Sequence, residues 1–307
     1  MSSHLPPLHP ALLALAARLQ PSILTQINDP LWVHNRVELW LKRDDLLHPI
    51  ISGNKWRKLK YSLAHAMALG ADTLVSMGGA YSNHLHALAY TGQQLGLKTI
   101  GYIRGEAPQT LNPSLSDMQR WGMDLRFVSR SDYRMLRRHK SHDDLPDRQA
   151  GHYWLPEGGA QPLALAGVGE LLDEITVPYD VLCTPCGTGA TLAGLIAAAP
   201  PSVSVWGFAA LKNAGFLSAE VESLLPNAAN NWHINLDYPF GGFAKTTPEL
   251  MAFMADFNAL TGIALDPVYT GKMMYALYDL LKQQRFAAGQ RIIALHTGGL
   301  QGNRGFI

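Results

Sequence analysis

Short apolar runs alternate with longer segments of helical periodicity along most of the chain. The apolar runs are rich in β-branched residues and are clearest at 73–77, 99–103, 125–128, 181–184, 203–208 and 292–296. The helical segments are clearest at 55–69, 82–95, 164–175, 191–199, 248–260 and 272–287. This alternation predicts an α/β fold in which parallel sheet is covered by helices on both faces. Residues 129–150 are charge-rich and weakly apolar, which predicts a surface helix and loop.

A basic segment at 52–61 places Lys55 at the start of a predicted helix, directly after a turn marked by Gly53. A helix start carries positive potential and unpaired N–H groups. Arg57 and Lys58 are close in sequence, and like charges disfavour the ammonium form of a lysine. A neutral amine can attack a carbonyl group and form a Schiff base. On these residues alone, a solvated basic helix face is about equally well supported.

A glycine-containing loop at 186–191 lies between a predicted strand and a predicted helix. Its glycines and the helix start can direct backbone N–H groups toward an anion, and its threonines add hydroxyl donors. A dinucleotide site is not indicated, because the third glycine comes late, at Gly194, and residues 206–211 contain no acid. No lysine follows the glycines, which excludes a P-loop. The loop therefore suits a small phosphorylated cofactor.

Two further loops carry polar side chains at predicted strand ends. Ser82, Asn83 and His84 offer a hydroxyl, an amide and an imidazole, although a serine or asparagine there could equally cap the following helix. Tyr269 and Thr270 precede another helix, where capping and packing are the plainer interpretation for the pair alone. Taken with the lysine and the anion loop, these groups match the needs of pyridoxal 5′-phosphate, which requires an amine, a phosphate site and polar partners for its ring.

Composition narrows the function classes. The 307 residues are 47% hydrophobic and 16% charged with a net charge of +1, so no electrostatic argument favours nucleic acid or a membrane. The apolar stretch at 11–19 is too short to span a bilayer and lacks a signal-peptide pattern, so we expect a cytoplasmic protein. Cys183 and Cys186 form a C-x-x-C pair, and one hypothesis is that they are a redox pair. A zinc site would need two further ligands, which the sequence does not offer at a suitable spacing. The more economical interpretation is that Cys186 is a small buried residue before the glycine loop.

The ordered motifs resemble those of the family that groups D-cysteine desulfhydrase with 1-aminocyclopropane-1-carboxylate deaminase. These enzymes belong to the tryptophan-synthase-β-like superfamily, pyridoxal-phosphate fold type II. The resemblance runs over nearly the whole chain and rests on the motifs at 41–45, 53–59, 82–84 and 296–299 together with the anion loop. It implies two α/β domains with the cofactor in the cleft between them, a small domain at 52–153 inserted into a large domain made of 1–51 and 154–307, and a homodimer.

The resemblance also implies roles for individual residues. Lys55 would carry the cofactor as a Schiff base, and Asn83 would contact the ring oxygen. The phosphate would be held by Gly187, Thr188, Gly189, Ala190 and Thr191, and Thr270 would face the pyridine nitrogen. Ser82 would contact the substrate carboxylate or assist proton transfer, with Tyr81, His84, Phe243 and Tyr269 on the substrate side. The chain departs from the family pattern at Tyr81, His86 and Ala190, where glutamine, arginine and glycine are common.

Within the family, the residues favour elimination over ring opening. Thr270, His84 and Phe243 stand where the deaminases resemble one another in having glutamate, glutamine and tyrosine, and phenylalanine has no hydroxyl to donate. We therefore expect a lyase that converts D-cysteine to pyruvate, sulfide and ammonia, with Lys55, Ser82 and Tyr269 as catalytic residues and no metal. The alternatives are the ring-opening deaminase and a non-catalytic carrier of the cofactor.

Overall fold

The computed structural model describes residues 5–145 and 149–306, and in them the chain alternates strands with helices. The strands are β1 (Leu24–Gln26), β2 (Glu38–Lys42), β3 (Thr73–Gly78), β4 (Lys98–Arg104), β5 (Met123–Val128), β6 (His152–Trp154), β7 (Val181–Cys186), β8 (Ser204–Ala209), β9 (Trp232–Asn235) and β10 (Arg291–Leu295). The α-helices are α1 (Pro10–Ala16), α2 (Pro30–His34), α3 (Lys55–Ala68), α4 (Asn83–Leu95), α5 (Pro113–Arg120), α6 (Arg130–Leu136), α7 (Pro162–Gly169), α8 (Ala190–Ala198), α9 (Leu217–Leu224), α10 (Pro248–Thr261) and α11 (Thr270–Lys282).

Two sheets organise these elements. The larger sheet has six strands in the order β1-β2-β10-β7-β8-β9, all parallel to their neighbours except β1, which is antiparallel to β2. The smaller sheet has four parallel strands in the order β5-β4-β3-β6. In a parallel sheet the carboxyl ends of the strands meet at one edge, where ligands bind.

Apolar side chains cover both faces of each sheet. On the larger sheet, Cys183 packs with Met273 and Leu277 of α11 on one face, while Cys186 packs with Leu192 of α8 on the other. On the smaller sheet, Leu74 belongs to the core shared with α3 and α4, whereas Val75 and Met77 pack with Tyr133 and Trp154. The predicted α/β fold with covered parallel sheets is therefore confirmed.

The predicted elements correspond to β3, β4, β5, β7, β8, β10, α3, α4, α7, α8, α10 and α11. The prediction of a single helix at 164–175 is wrong, because α7 ends at Gly169 and a 3-10 helix, Glu170–Glu174, follows. In this 3-10 helix, which is wound more tightly than an α-helix, Glu170 and Glu174 form ion pairs with side chains of α3. The surface segment at 129–150 begins with α6, and its residues 146–148 lie outside the described residues.

A buried ion network joins α3 to the larger sheet. Arg57 donates from Nε and Nη2 to the two carboxylate oxygens of Asp44, each at 2.8 Å, and from Nη1 to Glu174 at 2.8 Å. Lys42, which is fully buried on β2, donates to Glu174 at 2.6 Å. Burial opposes ionisation of Glu174, but the hydrogen bonds from Arg57 and Lys42 outweigh it and lower the pKa of this carboxyl. These bonds hold the start of α3 in a set position.

The domain boundaries predicted from the sequence remain a proposal. The smaller sheet is built from residues within 73–154, and the larger sheet from segments before and after them. Leu12 and Leu15 of α1 pack in the core that contains Leu59, Leu63 and Leu85 of the α3–α4 layer. Within the part of the chain that the structure describes, no helix combines the length and apolar character needed to cross a bilayer.

We predict that Arg57→Ala lowers the free energy of unfolding by about 3–5 kcal/mol, because it leaves the fully buried Asp44 carboxylate with one hydroxyl donor, Ser22. Urea unfolding measures this loss. Arg126→Ala is the matched control, since its pair with Asp124 is about half exposed and should contribute less than about 1 kcal/mol. Equal losses in the two variants would contradict the prediction.

Candidate active site

A cleft of about 790 Å³ lies where the carboxyl ends of strands from both sheets face one another. Its wall includes Gly78 at the end of β3, Arg104 at the end of β4, Cys186 at the end of β7 and Thr297 just after β10. The polar loops singled out in the sequence also reach this wall. The two sheets therefore bring residues far apart in sequence into one site.

Lys55 is the first residue of α3 and is half-buried in the cleft wall. Its Nζ donates to Asn54 Oδ1 at 2.5 Å. Burial lowers the pKa of this amine to about 8, against a smaller opposing effect of the Asp266 carboxylate. A substantial fraction of Lys55 is therefore neutral near pH 8, as a nucleophilic amine requires.

The physical cause of this shift differs from the one expected from the sequence. Arg57 is held in the ion network with Asp44 and Glu174, and it contributes no resolved effect to the pKa of Lys55. Lys58 is buried, and burial together with repulsion from Lys55 holds the pKa of its own amine well below the usual value. Desolvation is the main cause of the lowered pKa of Lys55.

Asn54 connects the lysine to the anion loop. Its side-chain nitrogen donates to Thr191 Oγ1 at 2.7 Å, while its side-chain oxygen accepts from Lys55. The carbonyl of Thr297 accepts from the Asn54 backbone N–H at 3.3 Å. The side chain and backbone of this one buried residue therefore connect α3, α8 and the segment after β10.

The anion loop turns at Gly189, whose φ of +79° suits glycine, and α8 begins at the next residue. Gly187, Thr188, Gly189 and Thr191 line the cleft. A second glycine turn, the 3-10 helix Glu157–Gly159, packs against this loop so closely that a Cβ on Gly158 would lie 2.9 Å from Thr188 Cγ2. The Ala190 side chain is fully buried and only its neighbours face the cleft.

The same region contains two buried polar side chains, Lys58 and His84, of which the lysine amine suits a phosphate. Lys58 is 4% exposed and lines the cleft beside the loop. His84 Nδ1 is buried without a hydrogen-bond partner, while its Nε2 lies 2.9 Å from Ser76 Oγ. Burial, with lesser effects of Lys58 and Lys55, holds the pKa of His84 well below the usual value, so the imidazole is neutral. A buried lysine, helix-start N–H groups and threonine hydroxyls form a donor set that fits the phosphate of pyridoxal 5′-phosphate.

Ser82 and Asn83 lie at the start of α4 and line the cleft. Ser82 caps the helix by accepting from the Leu85 N–H at 3.2 Å, which leaves its own hydroxyl proton free to be donated. Asn83 Oδ1 accepts from Gln301 Nε2 at 2.9 Å. Both predicted site residues are therefore present in the cleft, and Gln301 is an additional neighbour.

Three aromatic residues face the cleft on the side expected for substrate. Tyr269 and Phe243 meet edge to face with ring centroids 6.0 Å apart, and Tyr81 is 44% exposed. Burial, the Asp266 carboxylate and, more weakly, Glu157 and Cys186 raise the pKa of the Tyr269 hydroxyl above its usual value. Tyr269 therefore stays protonated near neutral pH and acts as a donor.

Thr270 was expected to face the cofactor ring, but it does not line the cleft. Its side chain is fully buried and its hydroxyl donates to Asp266, whose carboxylate also accepts from the Thr270 N–H at 2.9 Å. Asp266, and not Thr270, lines the cleft. The Thr270 hydroxyl points away from the cleft because it donates to the Asp266 carboxylate, which is a strong acceptor.

His86 also lies outside the cleft wall. Its Nε2 is 3.2 Å from Asp117 on α5, and its ring packs edge to face on Trp121. Successive residues on a helix are about 100° apart, so His86 points to the side opposite His84. The histidine that replaces the family's common arginine here therefore affects the contact between α4 and α5, and it does not contact the cleft.

The cysteine pair is not arranged for redox chemistry. Both thiols are free and buried, and they pack on opposite faces of β7. Burial raises the pKa of Cys186 to about 12 and that of Cys183 further, which leaves the reactive thiolate scarce. The economical interpretation of these residues agrees with the structure.

Sequence reasoning missed several residues of the cleft. Asn54, Lys58, Asp266, Gln301 and Asn303 line it or bond to its predicted residues. The helical period would have placed Lys58 with Lys55, since residues three apart share a helix face. Asn303 donates to the Leu265 carbonyl at 3.1 Å and its Oδ1 is a buried acceptor without a partner, for which no local sequence signal exists.

Comparison with known proteins agrees with this geometry. The family model described as "Pyridoxal-phosphate dependent enzyme" matches residues 25–298. A putative 1-aminocyclopropane-1-carboxylate deaminase of Pyrococcus horikoshii is 30% identical over 96% of both chains. A bifunctional D-cysteine desulfhydrase/1-aminocyclopropane-1-carboxylate deaminase of Arabidopsis thaliana is 30% identical over 98% of this chain and 81% of its own length.

A solved structure described as an ACC deaminase homologue superposes with a TM-score of 0.78 at 26% identity, covering 96% of each chain. This likeness, together with the parallel sheets, confirms the predicted fold type II architecture. The family match extends from the strand before α2 to the residues just after β10, so it contains nearly the whole cleft. The chain belongs to the pyridoxal-phosphate-dependent enzyme family.

Proposed function

We propose that the protein is a lyase that removes the β-substituent of a small amino acid, with D-cysteine as the leading substrate. The observation that carries this proposal is the half-buried Lys55 amine, with its pKa lowered to about 8, in one cleft with the anion loop at 186–191. In the proposed reaction D-cysteine and water yield pyruvate, hydrogen sulfide and ammonia. The Cα–H and Cβ–S bonds break, and water replaces the nitrogen.

Pyridoxal 5′-phosphate supplies an aldehyde that condenses with amines and a ring that withdraws electrons from Cα. The backbone N–H groups at Gly187, Thr188 and Gly189, with the amine of Lys58, would hold its phosphate. Asn83 would donate to the ring oxygen. Lys55 would provide the amine that attaches the cofactor.

Lys55 is also the group we assign to proton transfer at Cα. A base with a pKa of about 8 can both accept and release a proton near neutral pH, which matches the requirement for a general base. Ser82 would donate its free hydroxyl proton to the substrate carboxylate. Tyr81 and His84 remain predictions as substrate-side residues, and the buried His84 Nδ1 supports a contact with a bound molecule.

The aromatic pair favours elimination over ring opening. Tyr269 stays protonated because burial and Asp266 raise its pKa, and its partner Phe243 has no hydroxyl. Opening of a cyclopropane needs a nucleophile or base directed at a ring carbon, and neither side chain supplies one near neutral pH. Ring opening of 1-aminocyclopropane-1-carboxylate is the second candidate, because two of the relatives are named for this deaminase activity.

The homodimer and the cytoplasmic location remain predictions. A carrier without catalysis is a weaker alternative, because Lys55, Ser82 and Tyr269 all lie in the cleft wall.

We predict that the cofactor-loaded protein releases sulfide and pyruvate in equal amounts from D-cysteine, and more slowly from L-cysteine. Lys55→Ala should reduce the rate by at least about 1,000-fold, because it removes both the attachment point and the base. Lys60→Ala is the matched control on the same helix, since Lys60 pairs with Glu170 and does not line the cleft, and it should keep the rate within about twofold.

The same assay separates the alternatives. Production of 2-oxobutanoate from 1-aminocyclopropane-1-carboxylate, without sulfide from either cysteine, would establish the second candidate in place of the first. Absence of turnover with 1-aminocyclopropane-1-carboxylate, with either cysteine and across a panel of D-amino acids would leave only the carrier.

We also predict a pH dependence for capture of the cofactor by the unloaded protein. Because the pKa of Lys55 is lowered to about 8, the neutral amine fraction rises about 10-fold from pH 7 to pH 9 and then levels off. Stopped-flow absorbance in the visible region measures the capture rate. Asp266→Asn should move the midpoint to lower pH, since the Asp266 carboxylate opposes the shift. A rate that keeps rising through pH 10 would contradict a lowered pKa.

A further inference from the structure

The segment after β10 places a glutamine against a predicted cofactor residue. Gln301 lies in the 3-10 helix Leu300–Gly305, and its Nε2 donates to Asn83 Oδ1 at 2.9 Å. Both side chains are partly buried. Among the hydrogen bonds of the described residues, the Gln301 side chain bonds only Asn83.

This hydrogen bond determines which end of the Asn83 amide faces the ligand. An amide side chain has an acceptor oxygen and a donor nitrogen, and a donor bound to the oxygen sets the rotation of the whole group. Asn83 lines the cleft, and the bond from Gln301 occupies its side-chain oxygen. The side-chain nitrogen is therefore the end of the amide that is left to donate to a ligand.

Hydrogen bonds to two other parts of the chain hold the segment that contains Gln301 in place. Arg304 donates from Nε to the Gln301 carbonyl at 3.0 Å and from Nη2 to Asp117 Oδ2 on α5 at 2.6 Å. Asn303 bonds the Leu265 carbonyl, which precedes α11, at 3.1 Å. These contacts hold Gln301 at a set distance from Asn83.

We propose that Gln301 is a positioning residue that presents the Asn83 amide nitrogen to the ring oxygen of pyridoxal 5′-phosphate. The inference rests on the proposed role of Asn83. The ring oxygen is an acceptor, and it is stabilised by a donor nitrogen but repelled by an amide oxygen. Without Gln301 the amide rotates between the two orientations, and with an acceptor in place of Gln301 it reverses.

Two variants test this orientation. Gln301→Ala removes the donor, whereas Gln301→Glu keeps the shape and replaces the donor with acceptors. We expect about 10-fold weaker binding of pyridoxal 5′-phosphate for Gln301→Ala and a larger loss for Gln301→Glu, each with a shifted visible absorbance maximum. Quenching of tryptophan fluorescence in the unloaded protein measures the affinity. Gln93→Ala, an exposed glutamine on α4, is the matched control and should bind like the wild type.

A double-mutant cycle shows whether Gln301 acts through Asn83. Asn83→Ala alone should weaken binding about 10-fold, and adding Gln301→Ala or Gln301→Glu should weaken it no further. Multiplied losses in the double variants, or wild-type affinity and absorbance in Gln301→Glu, would overturn the inference while leaving the proposed function intact. Failure of the wild-type protein to bind the cofactor would overturn both.

Discussion

The placement of Lys55 depends on the buried ion network at the start of α3. Arg57, two residues further on, bonds the Asp44 carboxylate just after β2 and Glu174 at the end of the 3-10 helix that follows α7. Residues two apart point to opposite sides of a helix, so the anchoring of Arg57 directs Lys55 toward the cleft. A buried charge pair of this kind is costly to break, which keeps the reactive amine in place while burial lowers its pKa.

Several helices begin at the cleft, at the edge where the parallel strands of both sheets end. Lys55, Asn83, Ala190 and Thr270 are the first residues of α3, α4, α8 and α11. Each helix start contributes unpaired N–H groups and positive potential. Asp266 satisfies the start of α11 with its own carboxylate, so the anion site is left to the start of α8, where Gly189 opens the backbone and Lys58 adds a buried amine.

Much of this site follows from the sequence, and the exceptions have physical causes. Lys55, Ser82, Asn83 and the loop at 186–191 are brought together because they follow parallel strands, which the alternation of apolar runs predicts. The inward direction of Thr270 depends on the neighbouring carboxylate of Asp266, and the contact of Gln301 with Asn83 joins positions 218 residues apart. Hydrogen bonds over such separations leave no local pattern. Helical geometry, in contrast, predicts that Arg57 and His86 point away from the cleft. Each lies two residues after a side chain that faces it, Lys55 or His84.

The attachment of the cofactor to Lys55 is the claim on which the chemistry depends, and peptide mapping tests it most directly. Borohydride reduction of the cofactor-loaded protein, followed by proteolysis and mass spectrometry, should find the pyridoxyl label on the peptide that contains Lys55. A label confined to Lys58, Lys272 or surface lysines, with Lys55 unmodified, would contradict the account.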